Sequence, residues 1–145
     1  MTDIDSEIVL VRLRLIAKYR DALLEEFYPI NLDKYLNDFR QQLVVERLLQ
    51  LMAEAATDIN KHFLVQLHQI SSATYFDSFI EAGRRGIISP ELAAELARSA
   101  GMRNILVHQY KDIDSQIVFD AIPKALEQYP LYIQQIVAYI DSLEV

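Results

Sequence analysis

LDKYLNDFRQQLVVERLLQLMAEAATDINKHFLVQLHQI, residues 32–70, runs for 39 residues without a glycine or a proline. Tyr35, Phe39, Leu43, Leu48, Met52, Ala55, Ile59, Phe63 and Leu67 recur along it at helical spacing, the signature of an amphipathic helix. Asn31 or Asp33 supplies the cap. At 1.5 Å per residue this helix would be roughly 55–60 Å long, more than the diameter of a small domain. It is therefore expected either to kink or to extend into a partner. Its small-residue patch, Ala53-Glu54-Ala55-Ala56, lets a neighbouring helix approach closely.

The same helical period holds on either side. Residues 5–27 carry Ile8, Val11 and Leu15 against Glu7, Arg12, Arg14 and Lys18, and Tyr28-Pro29 stops them, since proline removes a donor and restricts the residue before it. Ser71-Ser72-Ala73-Thr74 reads as a loop, with Thr74 capping a short helix over 75–82 that Gly83-Arg84-Arg85-Gly86 closes. Ser89-Pro90-Glu91 is a strong helix start: hydroxyl cap, proline in the first position, carboxylate in the first turn. That helix runs towards His108. Asp112 and Asp114 then cap a helix over 115–121, Pro123 and Pro130 break or kink the C-terminal portion, and 131–143 forms a last helix. The expectation is one all-α domain over residues 1–145, an up-and-down bundle of five to six helices.

Composition agrees. With 145 residues, 52% hydrophobic and 24% charged, the chain suits one globular domain. Three glycines disfavour a turn-rich β fold or a glycine-rich dinucleotide fold. The absence of cysteine excludes disulfides, thiolate zinc sites and thiol nucleophiles. The acidic start lacks the pattern of a signal peptide, and no apolar run is long enough to span a membrane. A cytoplasmic protein is expected. A net charge of −7 argues against coating nucleic acid through overall charge. Between positions 84 and 111, however, Arg84, Arg85, Arg98, Arg103 and Lys111 outnumber Glu91 and Glu95, which points to an anionic ligand nearby.

Three groups of polar residues are candidates for chemistry. Glu54, Asp58 and His62 stand at i, i+4 and i+8 on one helix face. They could ligate a metal in a bundle core, but no second helix offers the matching carboxylate–histidine pair, so a polar stripe is the simpler reading. Asp58, set deepest among apolar neighbours, is the member expected to hold a specific partner. Arg84 and Arg85 on their glycine turn could grip phosphate oxygens, or could simply be a solvated helix end. His68 could interact with the negative end of its helix. The tyrosines at positions 19, 28, 35, 75, 129, 132 and 139 sit mostly on helix faces, where packing explains them better than base stacking.

The third group is Arg103-Asn104-Ile105-Leu106-Val107-His108-Gln109-Tyr110-Lys111-Asp112. A guanidinium, a carboxamide, an imidazole and a phenol crowd into eight residues. The set suits phosphodiester cleavage by a ribose 2′-hydroxyl. A general base takes the hydroxyl proton, arginine stabilises charge building on the phosphate, and an acid protonates the departing 5′-oxygen. Histidine titrates in the right range for either proton role. No metal is needed, because the nucleophile is already part of the substrate. On a straight helix, residues five apart stand about 140° around the axis. Arg103 and His108 therefore converge on one phosphate only if the last turn distorts, or if two copies of the chain each supply part of the site. A homodimer is the simplest repair.

At these residues the chain resembles the HepT-like proteins of the HEPN superfamily, small helical ribonucleases with an R-x4-H-x-Y signature. Glu46-Arg47-Leu48-Leu49-Gln50, Glu54-Ala55-Ala56-Thr57-Asp58-Ile59, Ala82-Gly83, Ile87-Ile88-Ser89 and Glu91-Leu92-Ala93 extend the resemblance over most of the chain. It implies an HEPN-like bundle that dimerises around a composite RNA-cleaving cleft. Arg103 and His108 would be the catalytic pair. Asn104 would support or contact the phosphate. Beside these, Arg84, Arg85 and Lys111 are the chain's own candidates for RNA phosphate, and Asp58 and Glu54 for polar support. It also implies the toxin half of a type VII-like toxin–antitoxin system. Its partner would be an MntA-like nucleotidyltransferase antitoxin that uses ATP to place AMP on Tyr110, the toxin itself needing neither metal nor cofactor. An adenylate there would block RNA entry by bulk and charge. The competing expectation is a non-catalytic subunit that binds nucleotide or partner for a nucleotidyltransferase, which the acidic net charge favours.

Overall fold

The computed structural model describes residues 4–27, 30–108 and 114–143, with residues 101–108 described by their backbone alone. Six helices follow one another: α1 (Ser6–Phe27), α2 (Leu32–Leu36), α3 (Phe39–His68), α4 (Tyr75–Arg84), α5 (Pro90–His108) and α6 (Ser115–Leu143). No strand occurs among the described residues. α1 lies along α3 and α6, α3 carries α4 on its other flank, and α4 and α5 form a tight helical hairpin. One apolar core runs through the bundle, from Val9, Leu13 and Ile16 of α1 to Ile136 and Ile140 of α6.

Side-chain caps set the boundaries. Asp5 accepts from the amides of Glu7 and Ile8 at 3.1 and 3.2 Å, opening α1. Thr74 accepts from Asp77 at 3.0 Å and opens α4, as its position in the sequence suggests. Each satisfies an amide that the first helical turn leaves without a carbonyl. The Tyr28-Pro29 stop and the Asp112 cap lie outside the described residues, while Asp114 caps α6 through Gln116 and Ile117.

The long helix expected over residues 32–70 is broken. Asn31 caps a short α2, and Asn37 then leaves helical geometry while its side-chain amide donates to the Asp33 carbonyl at 2.8 Å. Asp38 opens α3 by accepting from the Gln41 amide at 3.1 Å. Two capping side chains in succession offer the backbone an alternative to continuing the helix. The break resets the helical phase, so the stripe Tyr35, Phe39, Leu43 is not one face. Tyr35 is fully buried, but Phe39 is 70% and Leu43 51% exposed. Gln41 and Val45 are buried in their stead. α3 ends at His68, where Gln69 takes a left-handed φ of 54°.

The C-terminal region departs the other way. Pro123 and Pro130 do not divide it; both lie inside a single 29-residue α6. Val118, Ile122, Ala125, Tyr129, Tyr132, Ile136 and Ile140 form an unbroken buried stripe across both prolines. A proline within a helix costs about 3 kcal/mol. Burying a large apolar side chain returns roughly 1.5–3 kcal/mol, so the stripe outweighs two breaks. Pro130 also deprives the Leu126 carbonyl of its helical donor, and Arg20 Nε of α1 donates to that carbonyl at 3.4 Å.

Polar groups stitch the core where α6 crosses α3. The Tyr132 hydroxyl donates within reach of Asn60 Oδ1 at 2.6 Å and the Ala56 carbonyl at 3.0 Å, and all these atoms are buried. Ala53, Ala55 and Ala56, the small-residue patch of α3, are all buried. Burial pushes the phenols of Tyr129 and Tyr132 above their ordinary range, consistent with packing roles.

Candidate functional site

α5 positions the site. Ser89 Oγ accepts from the Leu92 amide at 3.2 Å, and Pro90 occupies the first turn with Glu91. The Ser89 amide in turn donates to Gln135 Oε1 at 2.7 Å, fastening the start of α5 to α6. Leu92, Ala93, Leu96, Ala97 and Ala100 bury the inner face. Gly83 of α4 packs against this face so closely that a Cβ on it would lie 2.5 Å from the Ala93 Cβ.

The helix stays regular through His108. Arg103, Asn104 and His108 therefore stand on its C-terminal third, with Arg103 and His108 about 140° apart around the axis. Their side chains, and all of Tyr110 and Lys111, lie outside the described residues. Of the two ways to bring Arg103 and His108 together, a distorted last turn is not what the backbone adopts.

Arg84 and Arg85 are placed elsewhere. They end α4, exposed, and both turn back to Glu81, at 2.7 Å and 3.8 Å. Arg103 lies thirteen residues along α5 from Pro90, roughly 20 Å further on. One chain does not bring these arginines to the phosphate that Arg103 would hold. They border a separate groove of about 580 Å3 with Ser71, Ser72 and Phe76.

The Glu54–Asp58–His62 stripe is engaged in structure. Asp58 is not deep: its side chain is 56% exposed, and it accepts from Arg12 Nε of α1 at 3.3 Å. It does hold a specific partner, but on the flank where α1 meets α3 and not in the core. His62 Nε2 accepts from the Asp5 amide at 3.0 Å, and Gln50 donates to Glu54 at 3.3 Å. Two of the three thus fasten the first half of α1 to α3. Among the described residues no three His, Asp or Glu side chains gather as a cation site. His68 ends α3, with its ring 3.5 Å from the Tyr139 hydroxyl.

One feature near the motif was not read from the sequence. Between α5 and α6 lies a groove of about 560 Å3, lined by Glu95, Arg98, Ser99, Lys124, Gln128 and Leu131 among others. Ser99 precedes Arg103 by one helical turn. Gln128 is 8% exposed and donates through Nε2 to Glu95 Oε2 at 3.1 Å, while its Oε1 is buried without a hydrogen-bond partner. The signal available was the lining's polar composition on two helices, but only the packed pair brings it together.

Comparison with known proteins adds to this geometry. A family model described as ribonuclease HepT-like matches residues 7–136. The chain is 52% identical over 144 residues to the tRNA nuclease HepT of Aphanizomenon flos-aquae, covering 99% of this chain and 97% of that one. It is 30% identical over 105 residues to the mRNA nuclease HepT of Shewanella oneidensis, covering 72% and 79% respectively. Among solved structures, the tri-AMPylated Shewanella oneidensis HEPN toxin in complex with MNT antitoxin superimposes with a TM-score of 0.82 at 26% identity, over 95% of this chain and 99% of that one. A toxin–antitoxin complex with AMP-PNP gives 0.78 at 25% identity, over 94% and 99%. With Arg103 and His108 on α5 and a family match over most of its length, the chain belongs to the ribonuclease HepT-like family.

Proposed function

We propose that this protein is the endoribonuclease toxin of a type VII-like toxin–antitoxin pair, and that its substrate class is tRNA. The observation that carries the reading is the unbroken α5, which carries Arg103 and His108 in a chain 52% identical to a tRNA nuclease. In this scheme His108 takes the proton of a ribose 2′-hydroxyl, whose oxygen attacks the adjacent phosphorus. The bond to the 5′-oxygen breaks, that oxygen leaves with a proton, and a 2′,3′-cyclic phosphate remains. Arg103 offsets charge on the equatorial oxygens, and Asn104 and Lys111 hold the phosphate. Because a regular helix keeps Arg103 and His108 on different faces, the two come from opposite protomers of a homodimer.

Regulation acts on the same site. An MntA-like nucleotidyltransferase would present ATP to Tyr110, whose phenolic oxygen attacks the α-phosphorus and expels pyrophosphate. The tri-AMPylated relative, captured with its antitoxin, supports this reading. ATP serves the partner, and the toxin carries no cofactor of its own. In this scheme the pair works in the cytoplasm, where RNA and ATP meet; no described helix is long and apolar enough to cross a membrane. The net charge of −7 favours one alternative, a non-catalytic subunit that binds nucleotide or partner.

The test separates the two. Wild-type protein is expected to cut tRNA, and His108→Ala to lose cutting while its dimer and helical content persist. Undiminished cleavage by that variant removes His108 from the scheme, and intact tRNA with the wild type leaves the alternative. Incubation with the partner and ATP is expected to add AMP-sized mass to Tyr110; a peptide map without it removes the modification.

A further inference from the structure

The groove between α5 and α6 holds groups that the proposed cleavage does not use. Gln128, buried in its wall, donates from Nε2 to the Glu95 carboxylate at 3.1 Å and so holds that carboxylate in place. Glu95 itself is exposed on α5. Arg98 and Lys124, also exposed, supply cations from the two walls, and Asp120 and Glu127 balance them. Such a lining does not suit a run of phosphates. It suits one neutral, flat group with donors on its edge and a phosphate beside it.

We propose that this groove is a base-recognition subsite for an unpaired guanine of the RNA strand. Guanine is the base whose pairing edge offers two adjacent donors, N1–H and the N2 amino group, next to one acceptor, O6. The two oxygens of the Glu95 carboxylate take the donors, and Arg98 or Lys124 serves O6 and the neighbouring phosphate. Adenine and cytosine offer one amino donor against ring acceptors, which the two protein acceptors repel; uracil places its donor between two carbonyls. Single-stranded RNA is commonly read in this way, by hydrogen bonds to splayed-out bases. Ser99 lies one turn, about 6 Å, before Arg103 on the same helix, so the subsite receives a nucleotide close to the one that is cut. The proposal rests on the nuclease reading for its substrate, but binding tests it separately.

The experiment uses short uridine-tract oligoribonucleotides with a single G, A or C, and the unsubstituted tract, each cut by the full-length protein. Cleavage beside G is expected to be roughly ten-fold or more faster than beside the other bases, the discrimination ordinary for a good base contact. Glu95→Gln replaces an acceptor with a donor at an exposed position and is expected to bring the four rates together. In parallel, fluorescence anisotropy with 2′-deoxy versions, which lack the attacking hydroxyl, reads binding alone. A G preference in binding that Glu95→Gln abolishes supports the subsite even where no RNA is cut, and in that case the nuclease reading alone fails. Equal cleavage and equal binding of all four oligonucleotides overturn the subsite, as does a G preference that survives both Glu95→Gln and Arg98→Ala.

Discussion

Gly83 has no side chain because Ala93 occupies the space one would need. The 2.5 Å separation from an added Cβ is one that real side chains do not adopt, and both neighbours are buried in helix backbone. Gly83→Ala is expected to destabilise the fold by roughly 1–3 kcal/mol, as overpacking does, seen as a lower urea midpoint with little change in slope. Ala93→Gly in the same chain should return part of the loss. Glu46 makes a second case, electrostatic and not steric. Its partial burial raises its carboxyl above the usual range, and its charge also helps raise the buried Tyr35 phenol, whose chief cause is burial. Between its unfolded and folded values the native state binds the more protons, so stability falls as pH rises through that window. Glu46→Gln should therefore be more stable than wild type at neutral pH. The two should converge as pH falls below the ordinary carboxylate range. Parallel curves in thermal melts from pH 4 to 7 would contradict this assignment.

At the scale of elements, Asp38 decides where α3 begins. Asp38→Ala removes its acceptor for the Gln41 amide and is expected to cost about 1 kcal/mol, measured by chemical denaturation. The same element marks how far the sequence was legible. Caps with one strong signal were readable: Thr74 for α4, and Ser89 with Pro90 for α5, sit where their chemistry places them. The Asn37–Asp38 break was hidden because it carries neither glycine nor proline, and Phe39 and Leu43 continued the apolar period across it. α6 misled in the opposite sense. Its two prolines are local stop signals, but the stripe from Val118 to Ile140 and the Arg20 donor to Leu126 are tertiary, and no window of sequence contains them. Asp58 obeyed the same logic: apolar neighbours in sequence said nothing of Arg12, 46 residues earlier. The motif itself was legible because its residues are contiguous. The groove beside it was not, since Glu95 and Gln128 meet only once α5 and α6 are packed.

For the whole molecule, the regular α5 yields a test of how two protomers share a site. If Arg103 of one chain works with His108 of the other, a dimer of one Arg103→Ala chain and one His108→Ala chain has one intact site and one empty site. Random reassociation of the two inactive proteins is then expected to restore roughly a quarter of wild-type RNA cleavage, since half the dimers are mixed and each has one of two sites. A site built within one chain gives no recovery on mixing. Subunit exchange, with a cleavage assay as the readout, distinguishes the two outcomes.

The seat of Gly83 against Ala93 has a mechanical meaning as well. It fixes α5 near one end, while Arg103 and His108 ride about 15–22 Å further along the same rod. α5 is thus a lever with its fulcrum in the hairpin. A tilt of only about 3° at the fulcrum swings the far end by roughly 1 Å, an error that can cost on the order of a hundred-fold in rate. A methyl group at position 83 should therefore slow cleavage out of proportion to the stability it removes, from a residue that never meets the RNA.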